Sequence, residues 1–444
     1  MDPSSVEKSL TEAAKRAVEL AGRLGADQAE AAASHEEGLS VTVRLGEVES
    51  VERQRDRGLA VTIYQHQRKG ATSTNDFSAR GIEEAVKKAL SIASFTAEDA
   101  YAGLADAELM AVDPPKPELY FPHTIDVDDA TALALRAENA ARGHDARIEN
   151  SEGATIGTGE GLRVYANSHG FVGGVPSSSY SASCSVIAKG KNGSLERDYW
   201  YTVARAFEDL ESPEQVGTRA AERAVQRLDA RQVRTKLVPV IYPPELARGL
   251  FGHLVAAIRG TSQYRKSTFL LDAAGQRIFP EFLEIEEDPF IPRGMASAPF
   301  DAEGVATRRR ALVERGVLQG YVLSSYSARR LGLKTTANAG GVHNLVVQPT
   351  AGPLEELIAD CQEAFVVGEL LGQGVNAVTG DYSRGAAGFW VERGKIAFPV
   401  NEVTVAGNLS EMFRNIRAVG SDVDVRGGVR TGSLLVDQLT VAGQ

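Results

Sequence analysis

The segment from residue 380 to residue 443 constrains the fold of this chain more than any other part of the sequence. Glycines interrupt its first part, residues 380–388 (GDYSRGAAG), and this favours an exposed loop over a strand or a helix. A β-hairpin is predicted next, with its turn at Arg393-Gly394. A short helix is expected over residues 409–416, and the chain then closes on a strand.

Composition excludes several classes of protein. The chain has 444 residues, 43% of them hydrophobic, which is enough for a large core and more than one domain. The net charge of −11, without a concentrated basic stripe, argues against a nucleic-acid partner. Because the only cysteines are Cys184 and Cys361, we expect no disulfide framework and a reducing, cytoplasmic location. No apolar run reaches about 18 residues, so we expect neither export nor a membrane-spanning segment.

Apolar periodicity predicts an α+β protein with two domains, residues 1–230 and 231–444. The first is expected to hold helices and an antiparallel sheet, crossed by an extended proline-rich segment at 97–124. Residues 212–215 (SPEQ) predict a helix start with a capping box. The polar stretch 229–236 marks the domain boundary. The second domain is expected to be strand-rich, with short helices and a curved or barrel-like sheet.

A catalytic zinc site needs three protein ligands and an open position for water. No two of the seven histidines are close enough in sequence to share a helical turn. His35 and Glu36 begin like a zincin motif, but the second histidine is missing. The predicted helix 246–258 carries only His253, which favours a packed or hydrogen-bonded histidine over a ligand.

A serine nucleophile is not favoured either. Ser383 and Gly385 imitate part of the G-x-S-x-G elbow, but the first glycine and the following helix are absent. Residues 380–388 are instead expected to touch a peptide through Tyr382 and Arg384, or to form a purely structural glycine turn.

Four motifs carry a resemblance to a known family: GLFGH at 249–253, YRKSTFLLD at 264–272, GDYSRG at 380–385 and GSLL at 432–435. They resemble the PmbA/TldE family, the partner subunits of TldD-type zinc peptidases, and the resemblance extends over nearly the whole chain. In the TldD-type relatives an HExxxH helix stands shortly before an Arg-Lys pair. Here Arg265-Lys266 persists, whereas only His253 remains on the helix.

The resemblance implies a non-catalytic subunit of a heterodimeric TldD-type zinc metallopeptidase, which processes or degrades unfolded and leader peptides. It implies no catalytic residue and no cofactor or metal in this chain, with zinc expected in the TldD-type partner. Contacts to an extended peptide substrate are expected at Tyr382, Arg384, Arg265, Lys266 and His253. Two alternatives stay open: an autonomous homodimeric peptidase or hydrolase, and a peptide-binding module without proteolysis.

Overall fold

The computed structural model describes residues 3–191 and 193–443. The fold is α+β, as the sequence predicts, and it contains three β-sheets. No helix among the described residues has the length and apolar character needed to span a membrane.

The first sheet has six antiparallel strands in the order β3-β2-β1-β4-β5-β6. Its strands are β1 (Gln28–Arg44), β2 (Glu47–Gln65), β3 (Arg68–Thr74), β4 (Ile148–Asn167), β5 (Val172–Lys189) and β6 (Leu195–Ala204). The helices of this part are α1 (Pro3–Arg23), α2 (Ala79–Phe95), α3 (Val127–His144) and α4 (Pro213–Gln226).

All four helices cover the same face of the first sheet. Residues of β1 alternate between its two faces, and the odd-numbered ones, apart from Glu37, are buried. Ala31 and Ala33 belong to the core packed by α1 and α2, whereas Val41 and Val43 belong to the core packed by α3 and α4. No helix from the described residues of this part of the chain covers the opposite face, and its side chains in β1, β4 and β5 are mostly small and polar.

Residues 97–126 cross the molecule in an extended form, apart from one short 3-10 turn and an isolated bridge. Leu119 accepts a backbone hydrogen bond from Ser178 of the first sheet, at 2.9 Å. Asp99 accepts a hydrogen bond from the Tyr326 hydroxyl of the C-terminal half, at 2.7 Å. The crossing segment therefore joins the two halves of the chain.

The C-terminal half contains a five-stranded sheet, in the order β10-β9-β8-β11-β16, and a six-stranded sheet, in the order β14-β13-β12-β7-β17-β15. The strands are β7 (Lys236–Tyr242), β8 (Ile285–Glu287), β9 (Arg310–Glu314), β10 (Val317–Leu318), β11 (Leu345–Val347), β12 (Glu363–Leu371), β13 (Asp381–Glu392), β14 (Lys395–Asn408), β15 (Ile416–Val419), β16 (Val429–Arg430) and β17 (Leu434–Ala442). The helices are α5 (Pro244–Ile258), α6 (Gly260–Tyr264), α7 (Ser325–Leu331), α8 (Leu354–Ala359) and α9 (Leu409–Arg414).

The six-stranded sheet curves until it closes on itself. Thr404–Ala406 of β14 pair with Thr440–Ala442 of β17, so five strands complete a ring and β15 is added beside β17. Closure protects strand edges that would otherwise carry unpaired backbone groups. The prediction of a curved or barrel-like sheet is therefore confirmed.

The prediction of an exposed loop at residues 380–388 is wrong, because most of this segment belongs to β13, which pairs with β12 on one side and β14 on the other. A Cβ at Gly388 would lie 2.0 Å from the carbonyl oxygen of Val366, beside a bulge in β12. A glycine inside a strand often marks a bulge or a close approach of another backbone. The segment is therefore part of the barrel wall.

Two local predictions are confirmed. Arg393 and Gly394 form the two-residue turn between β13 and β14, with φ of 51° and 74°, as a type I′ hairpin turn requires. Ser212 caps α4 by accepting from the Gln215 N–H, and the Gln215 side chain accepts in return from the Ser212 N–H at 2.9 Å.

Candidate functional site

Helix α5 carries the histidine that the sequence singles out. Pro244 occupies its first turn, where a fixed φ and a missing N–H cost nothing. The apolar side of the helix faces the C-terminal core, whereas Gly249, Gly252 and Ala256 lie exposed on the other side. His253 is half-buried at the border between the two sides.

His253 meets strand β13 at Tyr382 and Arg384. The rings of His253 and Tyr382 lie edge to face, with centroids 6.3 Å apart and planes at 77°. Arg384 lies two positions after Tyr382 and therefore on the same side of the strand. Burial lowers the pKa of His253 below its ordinary value, and the Arg384 guanidinium lowers that pKa further. The imidazole is consequently held neutral near pH 7.

Tyr242, at the end of β7, brings a second phenol to the same place. Its hydroxyl lies close enough to that of Tyr382 for each to influence the pKa of the other. Burial is the main cause that raises both pKa values, that of Tyr242 well above the ordinary range. Neither hydroxyl makes a hydrogen bond of normal geometry to another described residue, and the Nε of Arg384 is also buried without a partner.

The cluster of Tyr242, His253, Tyr382 and Arg384 therefore offers hydrogen-bond donors without a matching carboxylate. Arg384 uses one nitrogen, Nη2, to donate to the Leu370 carbonyl at 3.3 Å. A buried donor without an acceptor is costly. The two phenol side chains are at most 1% exposed and lie in the barrel core. The cluster lacks the pairing of nucleophile and base that acyl transfer needs.

The residues around His253 do not fit a zinc ion. Zinc in proteins is held by cysteine, histidine and carboxylate side chains, whereas His253 is accompanied by phenols and a guanidinium. The positive charge of Arg384 would also repel a metal cation. Within residues 3–191 and 193–443, no three His, Cys, Asp or Glu side chains are grouped so that they could hold a metal. His35, the other histidine considered as a ligand, forms a hydrogen bond with Glu37, with Nε2 and Oε1 2.8 Å apart.

The Arg265-Lys266 pair lies in an exposed turn after α6. The Arg265 guanidinium lies 5.9 Å from the centre of the Tyr264 ring, and Lys266 has a left-handed backbone with φ of 53°. No hydrogen bond or ion pair between described residues joins either side chain to His253 or Arg384. The structure thus brings together three of the five predicted contact residues.

The predicted exposure of Tyr382 is wrong, because its side chain is only 1% exposed. Position 382 points into the barrel core, while the exposed Ser383 is on the other side of the strand. Sequence reasoning also missed Tyr242, which resembles any apolar strand residue. The one available signal was its position beside the prolines that start α5.

Comparison with known proteins assigns the family. Models of the first domain, the central domain and the C-terminal domain of the PmbA/TldA metallopeptidases match residues 29–93, 120–228 and 235–443. The metalloprotease PmbA of Escherichia coli O157:H7 is 49% identical over 98% of this chain and 97% of its own length. The chain belongs to the PmbA/TldE family. The Haemophilus influenzae PmbA homolog is similar to it at 48% identity, over 98% of this chain and 97% of that protein.

Solved structures share the fold of this PmbA/TldE family member. A Bacteroides thetaiotaomicron protein, described as a candidate modulator of DNA gyrase, superposes with a TM-score of 0.92 at 27% identity, over 98% of both chains. TldE from Thermococcus kodakarensis superposes with a TM-score of 0.82 at 20% identity, over 97% of this chain and 99% of that one. The whole described chain therefore follows the family architecture.

Proposed function

We propose that the chain is a non-catalytic subunit of a two-subunit, TldD-type zinc metallopeptidase. In this proposal the TldD-type partner binds zinc, and the present chain contributes a wall of the substrate chamber and contacts to the peptide. The observation that carries it is the donor set around His253, which combines phenols and a guanidinium where a zinc peptidase needs ligands and a carboxylate base.

The substrates proposed are unfolded and leader peptides, in keeping with the family. A reducing, cytoplasmic setting suits the two cysteines, because Cys184 and Cys361 are both buried and unpaired. Burial raises the pKa of the Cys184 thiol to about 12, so this thiol is an inert part of the core at neutral pH.

Zinc content and peptidase activity test the proposal directly. The purified chain is expected to hold no stoichiometric zinc and to leave an unfolded peptide substrate intact. Addition of a TldD-type subunit from the same organism should give zinc-dependent cleavage. Substitution of His253 by Ala should leave the zinc content of the complex unchanged. About one tightly bound zinc per isolated chain, lost in His253→Ala, would show that the assignment is wrong.

Association supplies a second test. A permanent interface generally buries more than about 2,000 Å² and survives chromatography. The chain and a TldD-type subunit should therefore elute as one complex, and light scattering should give the molar mass of that complex. A stable homodimer that cleaves peptide without a partner would favour the autonomous hydrolase. A chain that binds peptide, forms no such complex and supports no cleavage would favour the peptide-binding module.

A further inference from the structure

The helix-free face of the first sheet carries a floor of small side chains. Three successive cross-strand rows of β1, β4 and β5 are Ser40–Gly157–Ser181, Gly38–Gly159–Ser179 and Glu36–Gly161–Ser177. Residues of these rows project from the same face, because each row lies two positions from the next. A depression of about 220 Å³ opens over the first two of these rows. We call the depression and the three rows the glycine-serine groove.

The groove has a closed end. Beyond its last row the floor continues to Tyr165 and Gly173, and there Phe300 from the C-terminal half covers it. A Cβ at Gly173 would lie 2.6 Å from the Phe300 ring, and Phe300 packs edge-on against Phe171 at 5.2 Å. An extended chain that ran along the floor in this direction would have to stop at Phe300.

A cleft of about 410 Å³ lies at this closed end, and two arginines line it together with residues from both halves of the chain. Arg205 donates from Nη1 to the Ser178 carbonyl at 3.1 Å and from Nη2 to the Met295 carbonyl at 2.8 Å. Its Nε is buried without a partner. Burial lowers the pKa of Arg205, and no carboxylate among the described residues offsets that effect. Arg205 is thus a cation in the cleft wall without a counter-charge.

Arg163 is the second cation, and its side chain is exposed in the same cleft. It lies in the row next to Glu36, yet no ion pair joins the two within the described residues. Asp301 is the acid in the cleft wall, but three backbone N–H groups already donate to its carboxylate at 2.9–3.0 Å. Two guanidinium groups and one carboxylate thus line the cleft, whereas the carboxylates of Glu36 and Glu52 lie further along the groove.

We propose that the glycine-serine groove binds the C-terminal end of an extended peptide and that Arg163 and Arg205 recognise its α-carboxylate. From the row of Gly157 to that of Arg163 the floor is about 20 Å long, enough for about six extended residues. Apart from Glu36, the three rows carry no bulky side chain, which leaves room for the side chains of the peptide. An arginine fork suits a carboxylate, and a dead end suits a chain terminus. This inference deepens the proposed function, on which its peptide substrate class rests.

The binding test uses the full chain without a partner subunit. The probe is a synthetic decapeptide without charged side chains, labelled at its N-terminus with fluorescein and made once with a free α-carboxylate and once as the C-terminal amide. Fluorescence anisotropy should show that the carboxylate form binds about tenfold more tightly, as expected for charge-assisted hydrogen bonds. Equal affinity of the two forms, or no binding of either, would overturn the proposal.

Arginine variants assign the recognition to the cleft. Arg163→Ala should bring the affinity for the carboxylate peptide to within about twofold of that for the amide, whereas Arg163→Lys should keep part of the difference. Arg16→Ala is the matched control, because Arg16 is exposed on α1 at the opposite face of the sheet. An unchanged preference in Arg163→Ala would contradict the assignment. A third peptide, an amide with a penultimate glutamate, should bind like the plain amide, and tight binding would show that a chain end is not what is recognised.

A second pair of variants tests the floor. Gly159→Leu fills the groove without a clash, since the nearest atom to an added Cβ is the Ser179 carbonyl oxygen at 3.8 Å. This variant should lose at least about tenfold in affinity for both peptides. Gly143→Leu adds the same side chain at an exposed helix end, with nothing within 4 Å, and should bind like the wild type. Normal peptide binding by Gly159→Leu would contradict the proposal that the peptide lies in the glycine-serine groove.

Failure of this inference is distinguishable from failure of the proposed function. If the chain showed no preference for the carboxylate peptide but still supported partner-dependent cleavage, only the recognition of a peptide C-terminus would be contradicted. If it showed a clear preference but supported no cleavage with a TldD-type subunit, only the proposed role as a peptidase subunit would be contradicted.

Discussion

At the scale of single residues, two buried tyrosines differ in the hydrogen bonds of their hydroxyl groups. One, Tyr382, belongs to the cluster beside α5, and the other, Tyr180, lies in β5. The hydroxyls of Tyr382 and Tyr180 are equally buried, with each side chain 1% exposed. The Tyr180 hydroxyl donates to the Phe121 carbonyl at 2.9 Å and accepts from the His123 N–H at 2.7 Å, whereas that of Tyr382 has no such partner. The same atom type should therefore contribute differently to stability at the two sites.

We expect Tyr382→Phe to leave the free energy of unfolding unchanged or to raise it, because the substitution removes a buried hydroxyl without a partner. Tyr180→Phe is the matched control and should lower the free energy of unfolding by about 1–2 kcal/mol. Urea denaturation followed by circular dichroism measures both. Equal losses would mean that the Tyr382 hydroxyl is bonded in solution.

Arg384 and Ser383 are neighbours on opposite sides of β13, which makes them a second matched pair. In the two-subunit peptidase, we predict that Arg384→Ala raises KM about tenfold, because a donor to peptide carbonyl groups is lost. Ser383→Ala should leave kcat within about threefold, because this serine lacks an activating elbow. Steady-state kinetics on one peptide substrate measure both parameters for the two variants. A fall of about a thousandfold in kcat for Ser383→Ala would indicate a nucleophile in this chain.

At the scale of elements, glycines have opposite effects that depend on their surroundings. Gly394 in the hairpin turn has φ of 74°, and an added Cβ would lie 2.7 Å from the Ala359 carbonyl oxygen. Gly249 lies in the exposed side of α5, where an added Cβ meets nothing within 4 Å. The turn requires glycine for its backbone, whereas the helix is weakened by it.

The same substitution should thus change stability in opposite directions. Gly394→Ala is expected to lower the free energy of unfolding by about 1–3 kcal/mol, through backbone strain and the close contact. Gly249→Ala is expected to raise it by about 0.5–1 kcal/mol, because alanine favours a helix. Chemical denaturation of the isolated chain measures both, and a stabilised Gly394→Ala would contradict the assigned turn geometry.

Strand lengths show how element boundaries depend on pairing. Within residues 28–65, the sequence pattern indicates strands at residues 39–45 and 58–64. In the structure β1 and β2 extend much further, and residues 47–57 of β2 are nearly all polar and exposed. Backbone hydrogen bonds to β1 supply the order in this region, and local composition does not reveal them.

At the scale of the whole molecule, ion pairs join the two halves. Arg227, directly after α4, contacts Asp198 of β6 at 3.3 Å and Glu369 of β12 at 2.6 Å. Arg223 contacts Asp198 at 3.0 Å and Glu245 of α5 at 2.8 Å. The side chain of Arg227 is 12% exposed and that of Asp198 5%, so solvent screens the first pair little.

Removal of this connection should destabilise the chain. Arg227→Ala is expected to lower the free energy of unfolding by about 2 kcal/mol, less than the loss of a fully buried pair, because Arg223 still neutralises Asp198. Arg136→Ala breaks an ion pair with Glu214 whose side chains are 54% and 49% exposed, and it should cost less than about 1 kcal/mol. Urea titration compares the two variants, and similar costs would show that the contact between the halves is not supported by Arg227.

The sequence alone determines the features whose causes lie within a few residues. The cap at Ser212, the turn at Arg393-Gly394 and the amphipathic helix around Ile82 are of this kind, because neighbouring side chains and backbone preferences decide them. The family motifs likewise need only the order of residues. The absence of a second histidine near His253 in the sequence belongs to the same class.

Tertiary structure decides what depends on residues far apart in the chain. Tyr382 is buried beside Tyr242 because β13 and β7 belong to one closed barrel. Glycine is needed at position 388 of β13 because the backbone of β12 approaches it closely. Arg163 and Arg205 share a cleft because sheet register and the loop with Phe300 bring them there. These contacts depend on the register of the strands and on the closure of the barrel. Many contacts between distant residues determine register and closure together, so no local sequence pattern predicts them.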